Sequence, residues 1–166
     1  MKSLTTKQMA VVSLTAAIYA ATTILAPIPQ YGQIQLRFAE AMTLLVFLNP
    51  VFAPGIVLGC FIANFFSSVN PVLDSIFGTL HSAVSVFFII KFSKNLFIAS
   101  LWPTVFSFII GGMIILSIGE GWNFTVFAAI TGSVMIGQFI AVTVIGYPLF
   151  KLLVKNERFM HLMKEV

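Results

Sequence analysis

The sequence predicts an all-α integral membrane protein: a six-transmembrane-helix bundle, one membrane domain over residues 1–166, with both termini cytoplasmic. Three observations carry that prediction. Of 166 residues, 59% are hydrophobic and only 8% charged, against about 25% charged in a soluble domain. The apolar runs are too many and too long for one soluble core. Finally, Lys2, Lys7, Lys91, Lys94, Lys151, Lys155, Arg158 and Lys164 all fall on one side of a six-crossing path, and Arg37 alone on the other. The side that collects lysine is the cytoplasmic one.

The first helix is expected at about residues 8–26. Lys2 and Lys7 precede it as in a signal peptide, but the run is longer than a signal h-region and Pro27 follows it directly. Ala16, Ala17, Ala20 and Ala21 make two overlapping Ala-x-x-x-Ala patterns. Small residues four apart let another helix approach closely, either within the bundle or from a partner protein. Pro27 and Pro29 end this helix, and Tyr31-Gly32-Gln33 turns the chain. The second helix, about residues 37–48, is roughly 18 Å long, short of a ~30 Å hydrocarbon core. Asn49-Pro50 stops it, and Pro54-Gly55 opens the third, about residues 53–68. The pair is either a re-entrant hairpin or two short buried helices, and both return the chain to the same side. Gly55 and Gly59, followed by Ala63, predict a close helix contact. The fourth helix, about residues 74–93, starts on Asp74, where the helix dipole favours an anion. The fifth, about residues 101–118, opens on Trp102-Pro103, and the sixth, about residues 124–153, is long enough to tilt. A basic amphipathic tail follows from Lys151.

Arg37 and Glu40 stand three residues apart at the mouth of an apolar run, which puts both on one helix face. Charges beside lipid are costly, so this pair should face a protein interior or a watery cavity. The acids outside the tail are Glu40, Asp74 and Glu120, and all fall at the end opposite the lysines. Gln35, Asn64, Tyr31, Phe38 and Trp122 join them there; His81 lies about two turns into the fourth helix and Gln138 in the middle of the sixth. Together they predict an outward-facing polar pocket among aromatics, the usual make-up of a small-molecule site. Each also has a structural role open to it. Arg37 and Glu40 can pair with each other, Asp74 can cap its helix, His81 and Gln138 can satisfy interhelical hydrogen bonds, and Trp122 can anchor at the interface. The sequence has no nucleophile–base pair, no metal-ligand spacing and no Walker-type glycine loop, so no catalytic residues, metal or cofactor are assigned to this chain. The net charge of +4 comes from cations at helix ends, not from a basic patch interleaved with aromatics, which argues against nucleic acid. A carboxylate can meet two parallel N–H donors, such as a guanine-like edge, in bidentate fashion, and a second acid can neutralise an ammonium group. Aromatics would stack on a flat ring.

The run Ile34-Gln35-Leu36-Arg37-Phe38-Ala39-Glu40-Ala41 resembles the Q-(F/L)-R-x-(A/S)-E-A signature of the queuosine-precursor substrate-binding components of energy-coupling factor (ECF) transporters. Pro54-Gly55 with Gly59-Cys60 and Ala63-Asn64, and then Asp74-Ser75-Ile76-Phe77-Gly78-Thr79-Leu80, extend the resemblance over nearly the whole chain. It implies an ECF S-component bundle in a bacterial plasma membrane that binds a 7-deazaguanine, the aminomethyl precursor or queuine, from outside. It also implies docking on a membrane coupling protein driven by two cytoplasmic ATPases, so that the partners use the ATP, and toppling of the bundle to release its ligand inside. Ala16 with Ala20, and Ala17 with Ala21, match the family's docking strip. On the same resemblance Glu40 reads the guanine-like edge and Arg37 orients it. Asp74 or Glu120 meets the ammonium, Asn64, Gln35, Gln138 and His81 add hydrogen bonds, and Tyr31, Phe38 or Trp122 stack. His81 departs from the small or apolar residue expected at its position. Two rival functions share this architecture or size: capture of another vitamin or small cation-bearing molecule, and a stand-alone carrier.

Overall fold

The computed structural model describes residues 5–26, 35–67, 70–119 and 122–165. Their regular elements are all helical: α1 (Thr6–Leu25), α2 (Phe38–Leu48), α3 (Pro50–Phe65), α4 (Pro71–Phe92), α5 (Leu96–Ile118), α6 (Phe124–Leu153) and α7 (Glu157–Glu165). By length and composition α1, α4, α5 and α6 can each cross a membrane, whereas α2 and α3 are apolar but shorter.

Short polar side chains set where the helices begin. Thr5 and Gln8 form a reciprocal capping box at α1. Asn49, Asn70, Asn95, Asn123 and Asn156 each accept a backbone N–H of the helix that follows. Two helices therefore start earlier than their apolar runs suggest. Asn70 caps α4 at Pro71, which leaves Asp74 one turn inside it. Asn95 caps α5 at Leu96, which puts Pro103 in the helix interior rather than at its start.

Close packing begins with α1 on α3. A Cβ added to Gly55 would lie 2.7 Å from the Val12 carbonyl oxygen, and one on Gly59 would lie 2.8 Å from that of Ala16. Only glycine lets the two backbones come this near. The contact turns Ala16 and Ala20 inward, while Ala17 and Ala21 stay exposed. The overlapping alanine patterns are thus divided between two faces.

Two separate apolar clusters form the interior. One joins Tyr19, Leu44, Ile56, Val86, Ile89, Ala99, Ala141 and Val142, and the other joins Ile110, Met113, Ile114, Ile115, Ile130 and Val134 with Leu73 and Phe77 against them. A buried polar stretch separates the clusters on each long helix they share. On α4 it is Gly78, His81 and Ser82; on α5 it is Ser100, Pro103, Thr104 and Ser107; on α6 it is Gly137 and Gln138. The outer surface is apolar instead. Of the eighteen phenylalanines only Phe52 and Phe150 are buried and ten are exposed, so most phenylalanine covers the outside of this bundle, while Phe47, Phe77 and Phe127 pack partly buried against its interior.

The start of α1, the α2–α3 turn and α7 meet at one end. Lys7 Nζ donates to the Glu165 carbonyl at 2.9 Å, and Asn49 Nδ2 donates to the Met163 carbonyl at 2.7 Å. Leu48, Asn95 and Lys151 line one groove at that end. The described lysines gather there, whereas the residues that enter α2 meet Gly137 halfway along α6.

Candidate functional site

The polar band draws residues from six helices, α1 to α6, and Cys60 ties α3 to α4 within it. Tyr19, on α1, donates its hydroxyl to Glu40 Oε1 of α2 at 2.6 Å. Cys60, on α3, donates to the Gly78 carbonyl of α4 at 3.4 Å and accepts from Asn64 Nδ2 at 3.2 Å. Glu40 and Arg37 lie close enough to Tyr19, Cys60 and His81 to act on all of them electrostatically. His81 Nε2 is 2.9 Å from the Pro103 carbonyl oxygen of α5. A carbonyl only accepts, so Nε2 carries a proton and Nδ1 is the acceptor of the neutral ring.

That last bond depends on a fault in α5. The helix is interrupted at Phe106-Ser107, where the Ser107 amide turns to the Thr104 carbonyl at 3.2 Å. The Pro103 carbonyl, passed over by its helical partner, accepts from His81 and from Ser107 Oγ instead. A second irregularity adjoins Gln138 on α6, where Phe139–Gly146 is a π-helical stretch. Such stretches are frequent at functional sites.

Three acceptor-only atoms in the band are buried with no hydrogen-bond partner among the described residues: Glu40 Oε2, Asn64 Oδ1 and Gln138 Oε1. Hydroxyls of Ser75, Thr79, Ser82, Ser85, Thr104 and Thr131 share that condition. Folded proteins leave few buried polar atoms unpaired, so these atoms call for partners that the described residues do not supply.

The sequence-derived site residues divide three ways. Glu40, Arg37, Gln35, Asn64, His81 and Gln138 are all buried. Gln35 and Arg37 are held beside α6, because the Gln35 carbonyl presses on Gly137, where a Cβ would lie 1.8 Å from it. Asp74 is also buried, but it is engaged by Ser67 Oγ at the end of the α3–α4 contact. Both acids therefore point into protein. Phe38 and Trp122 do not: Trp122 is 70% exposed and sits tilted against Phe127, and Phe38 is 39% exposed. Tyr31 and Glu120 lie outside the described residues.

Two expectations need correction. The pocket is not an open mouth, since Glu40 and Asn64 are fully enclosed. Glu40 does not offer both oxygens to a ligand, because Tyr19 holds one. Tyr19, Cys60 and Ser82 were not singled out as site residues from the sequence. Tyr19 sits in an apolar run, and its contact to Glu40 spans 21 positions. The one available signal was the polar periodicity of α4, where Gly78, Ser82 and Ser85 with His81 mark a buried polar face.

Among the described residues no group of His, Cys, Asp and Glu is placed to hold a metal ion. No curated protein and no solved structure matches the chain. The profile of the QueT transporter family matches residues 9–155. With four apolar helices of spanning length and a closed polar interior, the chain is a multi-pass membrane protein with a role in transport, and it belongs to the QueT transporter family.

Proposed function

We propose that the chain is the substrate-capture component of an ECF-type importer and that its guest is a 7-deazaguanine with a cationic side group. The observation that carries this proposal is the set of unpartnered acceptors, Glu40 Oε2, Asn64 Oδ1 and Gln138 Oε1. A buried acceptor without a partner costs about 1–3 kcal/mol, and a guest rich in N–H groups removes that cost. A guanine-type edge presents a ring N–H beside an amino group. With Glu40 Oε1 held by Tyr19, Oε2 takes one of these donors and Asn64 Oδ1 the other. Gln138 and His81 read the remaining edge. Asp74, nearer the end of the bundle, or Glu120 meets the ammonium group, Tyr31 stacks on the ring, and Arg37, part of the family signature, orients Glu40.

In this reading the chain crosses the bacterial plasma membrane six times, with α2 and α3 as the short pair. The gathering of lysines with α7 and the start of α1 supports cytoplasmic termini. Ser13, Ala17 and Ala21 stand four apart and exposed on α1, which supports that face, rather than Ala16 and Ala20, as the seat for the coupling protein. Two cytoplasmic ATPases supply the energy, and this chain holds no cofactor.

Co-expression with an ECF coupling module should give ATP-dependent uptake of labelled 7-aminomethyl-7-deazaguanine. Glu40→Gln should weaken binding about tenfold or more, because the amide either loses the Tyr19 bond or turns a donor toward the guest. Calorimetry showing the same affinity for Glu40→Gln removes Glu40 from the site, and uptake without ATP or the coupling module favours a self-sufficient carrier.

A further inference from the structure

We infer that Cys60 is a positioning residue of the buried site: it turns the Asn64 side-chain amide so that its oxygen, and not its nitrogen, faces the ligand. The inference rests on the proposed ligand site, and it follows from hydrogen-bond sense alone. The Gly78 carbonyl can only accept, so the bond at 3.4 Å uses the thiol proton of Cys60. With that proton committed, Sγ can only accept from its neighbour at 3.2 Å, and Asn64 must present Nδ2 to it. The two ends of a primary amide have nearly the same shape, and only this sense of donation tells them apart.

Gly78 closes the slot from the other side. A Cβ at position 78 would lie 2.2 Å from Asn64 Nδ2, so the amide nitrogen is seated where α3 and α4 meet. Its oxygen is left fully buried and unpartnered, in the same neighbourhood as the charges of Glu40 and Arg37. Had the amide been reversed, the site would offer a donor there and favour a ligand with an acceptor in place of the amino group. Selection of a guanine-type edge over one that carries an acceptor there, or, like hypoxanthine, no polar group at all, is therefore assigned to a residue, Cys60, that need not touch the ligand.

The test uses the full chain in lipid nanodiscs, with calorimetry of 7-aminomethyl-7-deazaguanine and of the 7-deazahypoxanthine counterpart that lacks the 2-amino group. Wild type and Cys60→Ser, which keeps one donor and one acceptor, should prefer the guanine-type compound about tenfold or more. Cys60→Ala frees the amide, and its preference should shrink to roughly threefold or less. A purely structural role would lower both affinities together and leave their ratio intact; Cys60→Ala with its full preference retained overturns the inference. A second measurement needs no ligand. Cys60 is the sole cysteine, so its S–H stretch is assignable in the infrared. It should lie at the low-frequency, hydrogen-bonded end of the range and shift in Asn64→Ala. A free-thiol band, or one that ignores Asn64→Ala, overturns the Cys60–Asn64 link. Should wild type bind neither compound, the proposed ligand falls while the infrared result still decides that link.

Discussion

The α1–α3 contact and the α5–α6 contact solve one problem in opposite ways. Between helices in lipid there is little hydrophobic drive, so close packing and hydrogen bonds must hold them. On the α1–α3 side the answer is two glycines against unbroken backbone, with Gly55 on Val12 and Gly59 on Ala16 and Tyr19. On the α5–α6 side the close approach is a single glycine, Gly111, against the Thr131 hydroxyl, with Thr143 Oγ1 donating across to the Ser100 carbonyl at 3.1 Å. There both helices are irregular, one at Phe106-Ser107 and the other over Phe139–Gly146. The regular pair fixes side chains, because Tyr19, Cys60 and Asn64 project from it. The irregular pair contributes main chain, because a fault in the helical ladder frees the Pro103 carbonyl for His81.

The largest effect should therefore come from the regular pair. Gly59→Leu would force a side chain to where even a Cβ meets the Ala16 backbone oxygen at 2.8 Å. We expect destabilisation of about 3 kcal/mol or more, or no folded protein. Gly112, on α5, has open space around its Cβ position, and Gly112→Ala should change stability by no more than about 0.5 kcal/mol. Thermal unfolding in detergent compares the two. Equal losses would show that the glycine contact is not what holds α1 to α3.

An intermediate effect is expected where α6 meets the chain that enters α2. Gly137→Ala places a Cβ 1.8 Å from the Gln35 carbonyl oxygen, and the backbone of Gln35–Arg37 must move away. Affinity should fall about tenfold, with a smaller change in Tm than Gly59→Leu gives. Unchanged affinity would free Gln35 and Arg37 from any part in shaping the site.

These two regions were unequally legible in the sequence. Gly55 and Gly59 announce a close contact by spacing alone, and Glu40 announces an interior position because a carboxylate cannot face lipid cheaply. Which helix the glycines meet, and that Ala16 and Ala20 rather than Ala17 and Ala21 lie in the contact, depends on how α1 is rotated, and four adjacent alanine positions leave that rotation undetermined. Pro103 misleads for a physical reason: proline favours the first turn of a helix, but Asn95 offers a cap eight residues earlier and the chain takes it. Tyr19 and Cys60 read as ordinary members of apolar runs, and only tertiary packing sets them against Glu40 and Asn64. Phe38 and Trp122 look like stacking partners by residue type, yet they face outward, as ten of the eighteen phenylalanines do.

The smallest effect tests whether the fault in α5 is functional. Proline inside a helix removes one backbone donor and disfavours the ladder around it. Pro103→Ala returns an N–H to position 103 and lets α5 run straighter, so that the Ser107 amide can reclaim the carbonyl of residue 103 now used by His81 at 2.9 Å. Straightening should raise stability by about 1 kcal/mol, or ~2–4 °C in Tm for a chain of this size. At the same time His81 loses the acceptor that fixes its ring, and ligand affinity should fall by roughly two- to fivefold. A gain in Tm with no loss of affinity would make the break mere packing and leave the α1–α3 side to determine ligand binding alone. A loss of both would mean that the proline is needed for the fold itself, and that the two sides of the bundle differ less than their geometry suggests.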